Sequence, residues 1–271
     1  KAGRSRFTLS TLPAAEFPTV EAGEGEIDLE LAQTLVRQMI DRTGFAMAQQ
    51  DVRYYLNGMY MEIKEGRLRF VATDGHRLAL CTAPGQVEAE DKSVIVPRKG
   101  ILELSRLLDA DGSVTLTVGS NHIRAATDQF TFTSKLIDGK FPEYERVLPR
   151  SPDKSVTGDR TELRQAFTRT AILSNEKYRG VRLALTNGSL EITANNPEQE
   201  QAEEMVPVDY SGEALEVGFN VSYLLDVLGV LSGSTVRMSL SDSASSALVE
   251  DGDAGGETDA EALYVVMPMR L

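Results

Sequence analysis

His76 and His122 are the only histidines in this 271-residue chain, and so the only side chains whose ordinary pKa lies near neutrality. Neither is placed for catalysis. His76 follows Asp74-Gly75 at a turn and His122 lies in an alternating, strand-like stretch, with no nucleophile or metal partner recurring beside either. Ser151-Pro152-Asp153-Lys154 has the form S-x-x-K, but Pro152 breaks the helical turn that would bring the serine and lysine together. Asp251-Gly252-Asp253 opens like a calcium loop, yet Gly255 stands at the third ligand position and Ala262 at the bidentate one. There is no Gly-rich phosphate loop ending in Lys-Ser/Thr, no G-x-S-x-G and no H-E-x-x-H. The residues point away from an enzyme, with no cofactor or metal expected, and toward binding.

Two kinds of group remain for binding, apolar and cationic. The chain ends YVVMPMRL, two methionines and a leucine around a proline where chains normally fray into polar residues. Methionine repacks around different ligands, although a buried last strand explains the segment equally well. Net charge is −13, which alone argues against nucleic acid. The distribution argues otherwise: Arg160 to Arg182 carries a local balance of +4 and Lys92 to Arg106 one of +3, while Glu250 to Glu261 packs six carboxylates into twelve residues. A protein can be acidic overall and basic on one surface, and at a Debye length of about 8 Å only that surface is felt. Ordinary solvated helix faces would read the same way. Cys81 is the one cysteine; it forms no internal disulfide, suits a reducing cytosol and reads as a small core residue of a strand. No window approaches the roughly 18 apolar residues of a membrane span, and the basic N-terminus has no signal-peptide region.

The elements that must position these groups are organised around Arg53 to Leu78. Met59, Met61 and Ile63 alternate with Tyr60, Glu62 and Lys64; after Glu65-Gly66 the alternation resumes through Leu68, Phe70 and Ala72, which reads as a β-hairpin with one buried face. The pattern returns in Lys177 to Asn196. Gly58 and Gly180, Gly66 and Gly188, and Asp74 and Asn196 are each 122 positions apart, as are Val114 and Val236 in the later strand-and-helix segments. Repeats this long are whole domains. A fainter copy lies at the front, where Leu12 and Phe17-Pro18 sit 124 positions before Leu136 and Phe141-Pro142.

The expected organisation is a stub strand over Arg6–Leu12 and a linker within residues 1–25, a first whole domain over 26–150 and a second over 151–271. In the first, Asp28 caps a helix with Leu31, Ala32, Leu35, Val36, Met39 and Ile40 inward, ending near Thr43-Gly44. The hairpin follows, then a strand at Arg77–Cys81, a strand at Ser93–Pro97, a helix over about Lys99–Leu108 and strands at Val114–Val118, His122–Thr127 and Phe130–Leu136. In the second, Thr161–Leu173 and Val221–Leu231 are helices, and Val236–Leu240, Ala247–Val249 and the C-terminal segment are strands. The fold class is α+β: each domain a sheet with two helices lying together on one face.

ATDGHRLAL, KFPEYERVLP, FNVSYLLDVL and the terminal VVMPMRL, in this order and at this spacing, together resemble the β sliding clamps of bacterial DNA polymerase III across the whole chain. The resemblance implies a clamp fold with sheet outside and helices on the inner face. The family has three similar domains per subunit, so this chain matches the second and third, with residues 1–25 the tail of the first. Family members are cytoplasmic and nucleoid-associated, and two full-length subunits close head to tail into a homodimeric ring around duplex DNA. Weak phosphate contact without base readout is what sliding requires. By the family pattern the basic helices carrying Arg98, Lys99, Arg164 and Arg169 line the hole, and Gln50, Tyr54, Tyr55, Arg98 and Lys99 touch DNA. Tyr54 and Tyr55 also fit as core residues at a strand start.

The resemblance implies a second site, a pocket between the two domains that receives motifs of roughly Gln-Leu-x-Leu-Phe. Its partners are replicative and translesion polymerases, the clamp loader, and mismatch-repair and initiation-control proteins. Carried over by motif, the deep apolar part is Leu56, Thr73, Gly75, Leu78, Pro142, Val147, Val265 and Met267. The outer part is Arg53, His76, Arg77, Arg146, Asn220, Tyr223, Ser246, Pro268, Met269 and Arg270. Two or three buried Leu/Phe side chains at about 1.5–3 kcal/mol each, less the cost of association, give micromolar affinity. Ala244 departs from the larger apolar residue expected beside the pocket. Without the resemblance, a two-domain interaction scaffold that never encircles DNA fits the same residues.

Overall fold

The computed structural model describes residues 3–17, 27–150, 152–253 and 260–270. Its centre is the expected hairpin, β2 (Gly58–Lys64) against β3 (Arg67–Thr73). The two residues between them, Glu65 at φ 53° and Gly66 at φ 72°, both lie in the left-handed region, the tight turn whose twist matches that of the strands. β4 (Arg77–Thr82) and β5 (Lys92–Pro97) flank the hairpin. The repeat is built alike: β10 (Gly180–Thr186) and β11 (Ser189–Asn195) form its hairpin, flanked by β12 (Gln201–Pro207) and β13 (Leu215–Asn220).

A second sheet in each half starts with a strand that the sequence reading missed. β1 (Ile27–Ala32) pairs with β6 (Ser113–Val118), followed by β7 (His122–Ala126) and β8 (Thr131–Lys135). Asp28 is therefore no helix cap; it lies in β1, where its side chain accepts a 2.6 Å hydrogen bond from Thr117. Ile27, Leu29 and Leu31 alternate with acids, and that period of two wins over the helical reading. The helix, α1, runs from Gln33 to Thr43. Likewise β9 (Lys154–Asp159), ahead of the second half's first helix where the sequence predicts no strand, pairs with β14 (Thr235–Leu240), then β15 (Ala247–Asp251) and β16 (Glu261–Val266). The strand expected over Arg6–Leu12 does not form: these residues have no ladder partner among the described strands and are exposed, Leu9 at 81%. A strand's backbone groups need such a partner.

The remaining helices are α2 (Arg98–Leu107), α3 (Arg160–Thr170) and α4 (Val221–Val230). Asp159 caps α3 by accepting from the Glu162 amide at 2.8 Å, and Asn220 caps α4 through Ser222 at 2.9 Å. Arg160 closes the other end of α4, donating to the carbonyls of Leu231 (2.9 Å) and Leu228 (3.4 Å). α1 packs on α2 and α3 on α4, with Val36, Met39, Leu104, Phe167 and Leu224 in a core shared with the sheets. No helix among the described residues is long and apolar enough to cross a membrane.

The two halves share one sheet. β4 pairs antiparallel with β16, Arg77 opposite Val266 through Thr82 opposite Glu261, so β5-β2-β3-β4 and β16-β15-β14-β9 make eight continuous strands. Along β4, Ala79 and Cys81 face the main core while Leu78 and Leu80 face the other side of the sheet. There they join Leu56, Val71, Ile95, Phe141, Tyr144 and Val265 in a second apolar cluster.

Candidate functional site

The second cluster lies where the halves meet, and Leu56, Leu78 and Val265 of the expected pocket residues belong to it. Leu56, on the 3-10 turn Tyr54–Leu56, is 2% exposed; Leu78 and Val265, register partners across β4 and β16, are 4% and 2%. Phe141 and Tyr144 anchor the segment carrying Pro142, Arg146 and Val147, which stay exposed, and Arg146 pairs with Glu143 at 2.5 Å. Thr73 is buried, its hydroxyl donating to the Arg77 carbonyl at 2.6 Å and accepting from the Gly75 amide at 3.1 Å. Gly75 has φ 89°, and a Cβ there would stand 2.8 Å from the Arg53 guanidinium.

The C-terminal residues cross from one half's strands to the other's. The Met267 amide donates to the His76 carbonyl at 2.9 Å and the Met269 amide to Gly218 of β13 at 2.8 Å. Met267 is 37% exposed, while Pro268 and Met269 are partly covered and Arg270 is exposed. The tail thus runs beside both His76 and the strand leading to Asn220. Ser246 immediately precedes Ala247, the register partner of Val266, and Ala244 is exposed, its amide bonded to Asp242 at 2.8 Å.

Electrostatics fix the polar rim. Asp51 accepts from the Arg53 amide and guanidinium at 2.8–3.0 Å, and these bonds hold its carboxyl down at about 2. Arg53 also donates to the Asp74 carbonyl at 3.1 Å. Arg77 bridges the halves: it pairs with Asp74 and with Asp226 of α4 and donates to the Phe45 carbonyl at 2.9 Å. Its guanidinium lies 5.1 Å from the Phe45 ring and 4.6 Å from that of Tyr223, whose other neighbour is the stacked His76 ring at 6.3 Å. Partial burial raises the Tyr223 hydroxyl pKa. Asp51, Phe45 and Asp226 were not singled out from sequence. Asp51 carried a signal, two residues before Arg53 with a side chain suited to local backbone bonding; Phe45 and Asp226 gave none, because their meeting with Arg77 is tertiary.

The expected DNA contacts form a separate group. Asn57 holds their loop, bonding both ways with the Asp51 backbone at 2.9 Å, and its carbonyl accepts from the Arg98 amide at 3.0 Å. Tyr54 and Tyr55 are therefore tied to the start of α2, where Lys99 is exposed. Tyr54 is 56% exposed and meets Tyr55 edge-on at 5.8 Å; Tyr55 also packs on the second cluster. Gln50 is exposed in the left-handed region at φ 56°. Arg98 is partly buried, donating at 3.3–3.4 Å to the carbonyls of Met47 and Gly44. On α3, Arg164, Gln165 and Thr168 face solvent, but Arg169 is engaged by Glu204 at 2.6 Å.

The family model for the DNA polymerase III beta subunit central domain matches residues 30–143, and that for its C-terminal domain matches residues 145–270. The beta sliding clamp of Pseudomonas aeruginosa is 66% identical over 273 residues, covering 100% of this chain and 73% of its own length. That of Escherichia coli K12 is 55% identical over 272 residues with the same coverage. A crystal structure of the P. aeruginosa DNA polymerase sliding clamp with ligand superposes with a TM-score of 0.94 at 65% identity, covering 100% of this chain and 73% of that one. Another from P. aeruginosa, bound to griselimycin, gives 0.93 at 65% identity with the same coverage.

Proposed function

The chain belongs to the DNA polymerase III beta subunit family, the non-catalytic sliding clamps of bacterial DNA replication, and from that premise we propose that the junction of its halves is a pocket for short linear motifs of the type Gln-Leu-x-Leu-Phe. The observation that carries this reading is the C-terminal tail. It bonds at Met267 to the His76 carbonyl just ahead of β4 and at Met269 to Gly218 of β13, leaving methionine and proline side chains partly open directly after β16, whose Val265 pairs with Leu78. The rim is polar and aromatic, with His76, Tyr223, Arg270 and the acid-paired Arg53, Arg77 and Arg146, and suits the polar start of such a motif. Thr73, Gly75, Pro142, Val147, Asn220, Ser246, Pro268 and Met269 complete the pocket. Its occupants are replicative and translesion polymerases, the clamp loader, and mismatch-repair and initiation-control proteins.

Residues 26–150 and 151–271 are the middle and last clamp domains, and residues 1–25 the end of a first. Strand order supports a head-to-tail homodimeric ring for the full-length protein. β4 corresponds in the repeat to β12, and β16 to β8; β4 pairs with β16, whereas β12 and β8 each end a sheet among the described strands. Ile172, 75% exposed beside β11, and Met205 of β12, 56% exposed, give that open end an apolar surface. Such a ring holds duplex DNA in the cytoplasm through Gln50, Tyr54, Tyr55, Arg98 and Lys99 without reading bases.

The test is a fluorescence-polarisation titration of a labelled Gln-Leu-x-Leu-Phe peptide against this chain and a variant lacking Met267–Leu271. Micromolar binding lost in a variant that is folded by circular dichroism supports the pocket. No binding by the intact chain refutes it.

A further inference from the structure

We propose that the turn Gly44–Met47 couples the peptide pocket to the DNA-facing surface, acting as a positioning element gripped by a different arginine from each side. The inference rests on the pocket reading above. The turn follows α1 and carries three carbonyls that accept from two guanidinia of opposite allegiance. Arg77, in the pocket wall, donates to Phe45 at 2.9 Å; Arg98, next to Lys99 at the start of α2 and bonded through its amide to Asn57 of the Tyr54–Tyr55 loop, donates to Gly44 at 3.4 Å and Met47 at 3.3 Å. Phe45 fixes the turn against the other half, its ring 5.8 Å from that of Tyr264 in β16 and under the Arg77 guanidinium.

The two grips differ in strength. The Arg77 bond has ordinary length, whereas the Arg98 bonds lie at the long end of the hydrogen-bonding range. Gly44 also accepts from the Met47 amide at 3.4 Å, so its carbonyl is shared between two weak donors. A phosphodiester oxygen offers Arg98 a shorter, charge-assisted bond and draws it off the turn. The turn then loses one of its two supports, and Phe45, with the Arg77 guanidinium bonded to its carbonyl and stacked on its ring, is less firmly held. An occupant pressing on His76 and Tyr223 acts through Arg77 in the opposite direction. The two discrete arrangements are Arg98 docked on Gly44 and Met47, as here, and Arg98 released to an anion. Coupling between binding sites is reciprocal, so what loosens the turn from the α2 side weakens peptide binding, and peptide favours the docked arginine.

Arg98→Ala imposes the released arrangement without touching the pocket. Peptide affinity is measured by fluorescence polarisation for the whole chain, for Arg98→Ala, and for Arg106→Ala on the exposed side of the same helix. Amide hydrogen exchange of residues 44–48 is followed in the unaltered chain with and without peptide. Arg98→Ala is expected to weaken peptide binding about 5-fold or more at an unchanged melting temperature, with Arg106→Ala unaltered, and exchange at Met47 and Ala48 slows when peptide is added. Peptide affinity within about twofold for Arg98→Ala, together with exchange at 44–48 unmoved by peptide, overturns the coupling while leaving the pocket standing. Absence of peptide binding by the unaltered chain overturns the pocket and the coupling with it.

Discussion

Leu78 and Val265 stand opposite each other across the junction of β4 and β16, both almost fully buried, so the floor of the proposed pocket is also the contact by which one half's sheet becomes the other's. Leu78→Ala therefore acts twice. It is expected to cost about 2–5 kcal/mol of stability and to weaken peptide binding in the molecules that remain folded. Chemical denaturation followed alongside a peptide titration checks both. Full stability with peptide binding intact would contradict the placement of Leu78 in this cluster.

Gly75 cannot be replaced quietly. Its φ of 89° and its approach to Arg53 mean that Gly75→Ala strains the backbone and displaces the guanidinium from Asp51 and the Asp74 carbonyl. The expected cost is about 1–3 kcal/mol, read as a lowered melting temperature, with a further loss of peptide affinity. Arg53→Ala, which leaves Gly75 unstrained, should lose affinity with little change in melting.

The Asp51 carboxyl, held down at about 2, gives the rim a defined acid limit. A depressed carboxyl contributes stability above its ordinary value of 3.8, and that contribution is lost as pH falls through about 2. The Asp51–Arg53 contact should thus persist through pH 4 and open only below about 3. Carboxyl titration by NMR should find a midpoint near 2 in the unaltered chain, moving up toward 3.8 in Arg53→Ala. A midpoint near 3.8 in both proteins would dispose of the contact in solution.

Lys99 is exposed at the start of α2 next to Arg98. In the full-length ring, Lys99→Ala is expected to weaken retention on duplex DNA about equally for all sequences. It should also lower the slope of log affinity against log salt by about one unit. An unchanged slope would remove Lys99 from the contact surface.

What the sequence made legible followed from period. The alternation of Met59, Met61 and Ile63, and its return 122 positions later, exposed both hairpins and the repeat. Ile27, Leu29 and Leu31 carry the same alternation, but Leu31 and Ala32 also fit the apolar stripe of the following helix, because strand and helix there run together without a break and Asp28 imitates a cap. β9 is short and follows directly on Pro149 and Pro152, which punctuate the chain and mask the alternation behind them. At the site, motifs carried the apolar floor, since Leu78 and Val265 lie in recognisable segments. The pairing of Arg77 with Asp226 and the sharing of one turn by Arg77 and Arg98 had no local signature. They depend on which strand of one half meets which strand of the other.

The seam between the halves has a mechanical character. An antiparallel ladder resists sliding along its strands, where all its hydrogen bonds are loaded together, but peels readily from an end, where they break one at a time. Here each end carries a stop. At the Arg77–Val266 end, the Arg77 side chain reaches over to Asp226 of α4. At the Thr82–Glu261 end, buried Arg42 of α1 donates to the carbonyl of Ala260 and, at 3.3 Å, to the Ser232 hydroxyl. A pull that separates the halves must break an arginine contact before it can open the first rung from either direction. The seam therefore behaves as a stiff joint, closed at both ends against peeling.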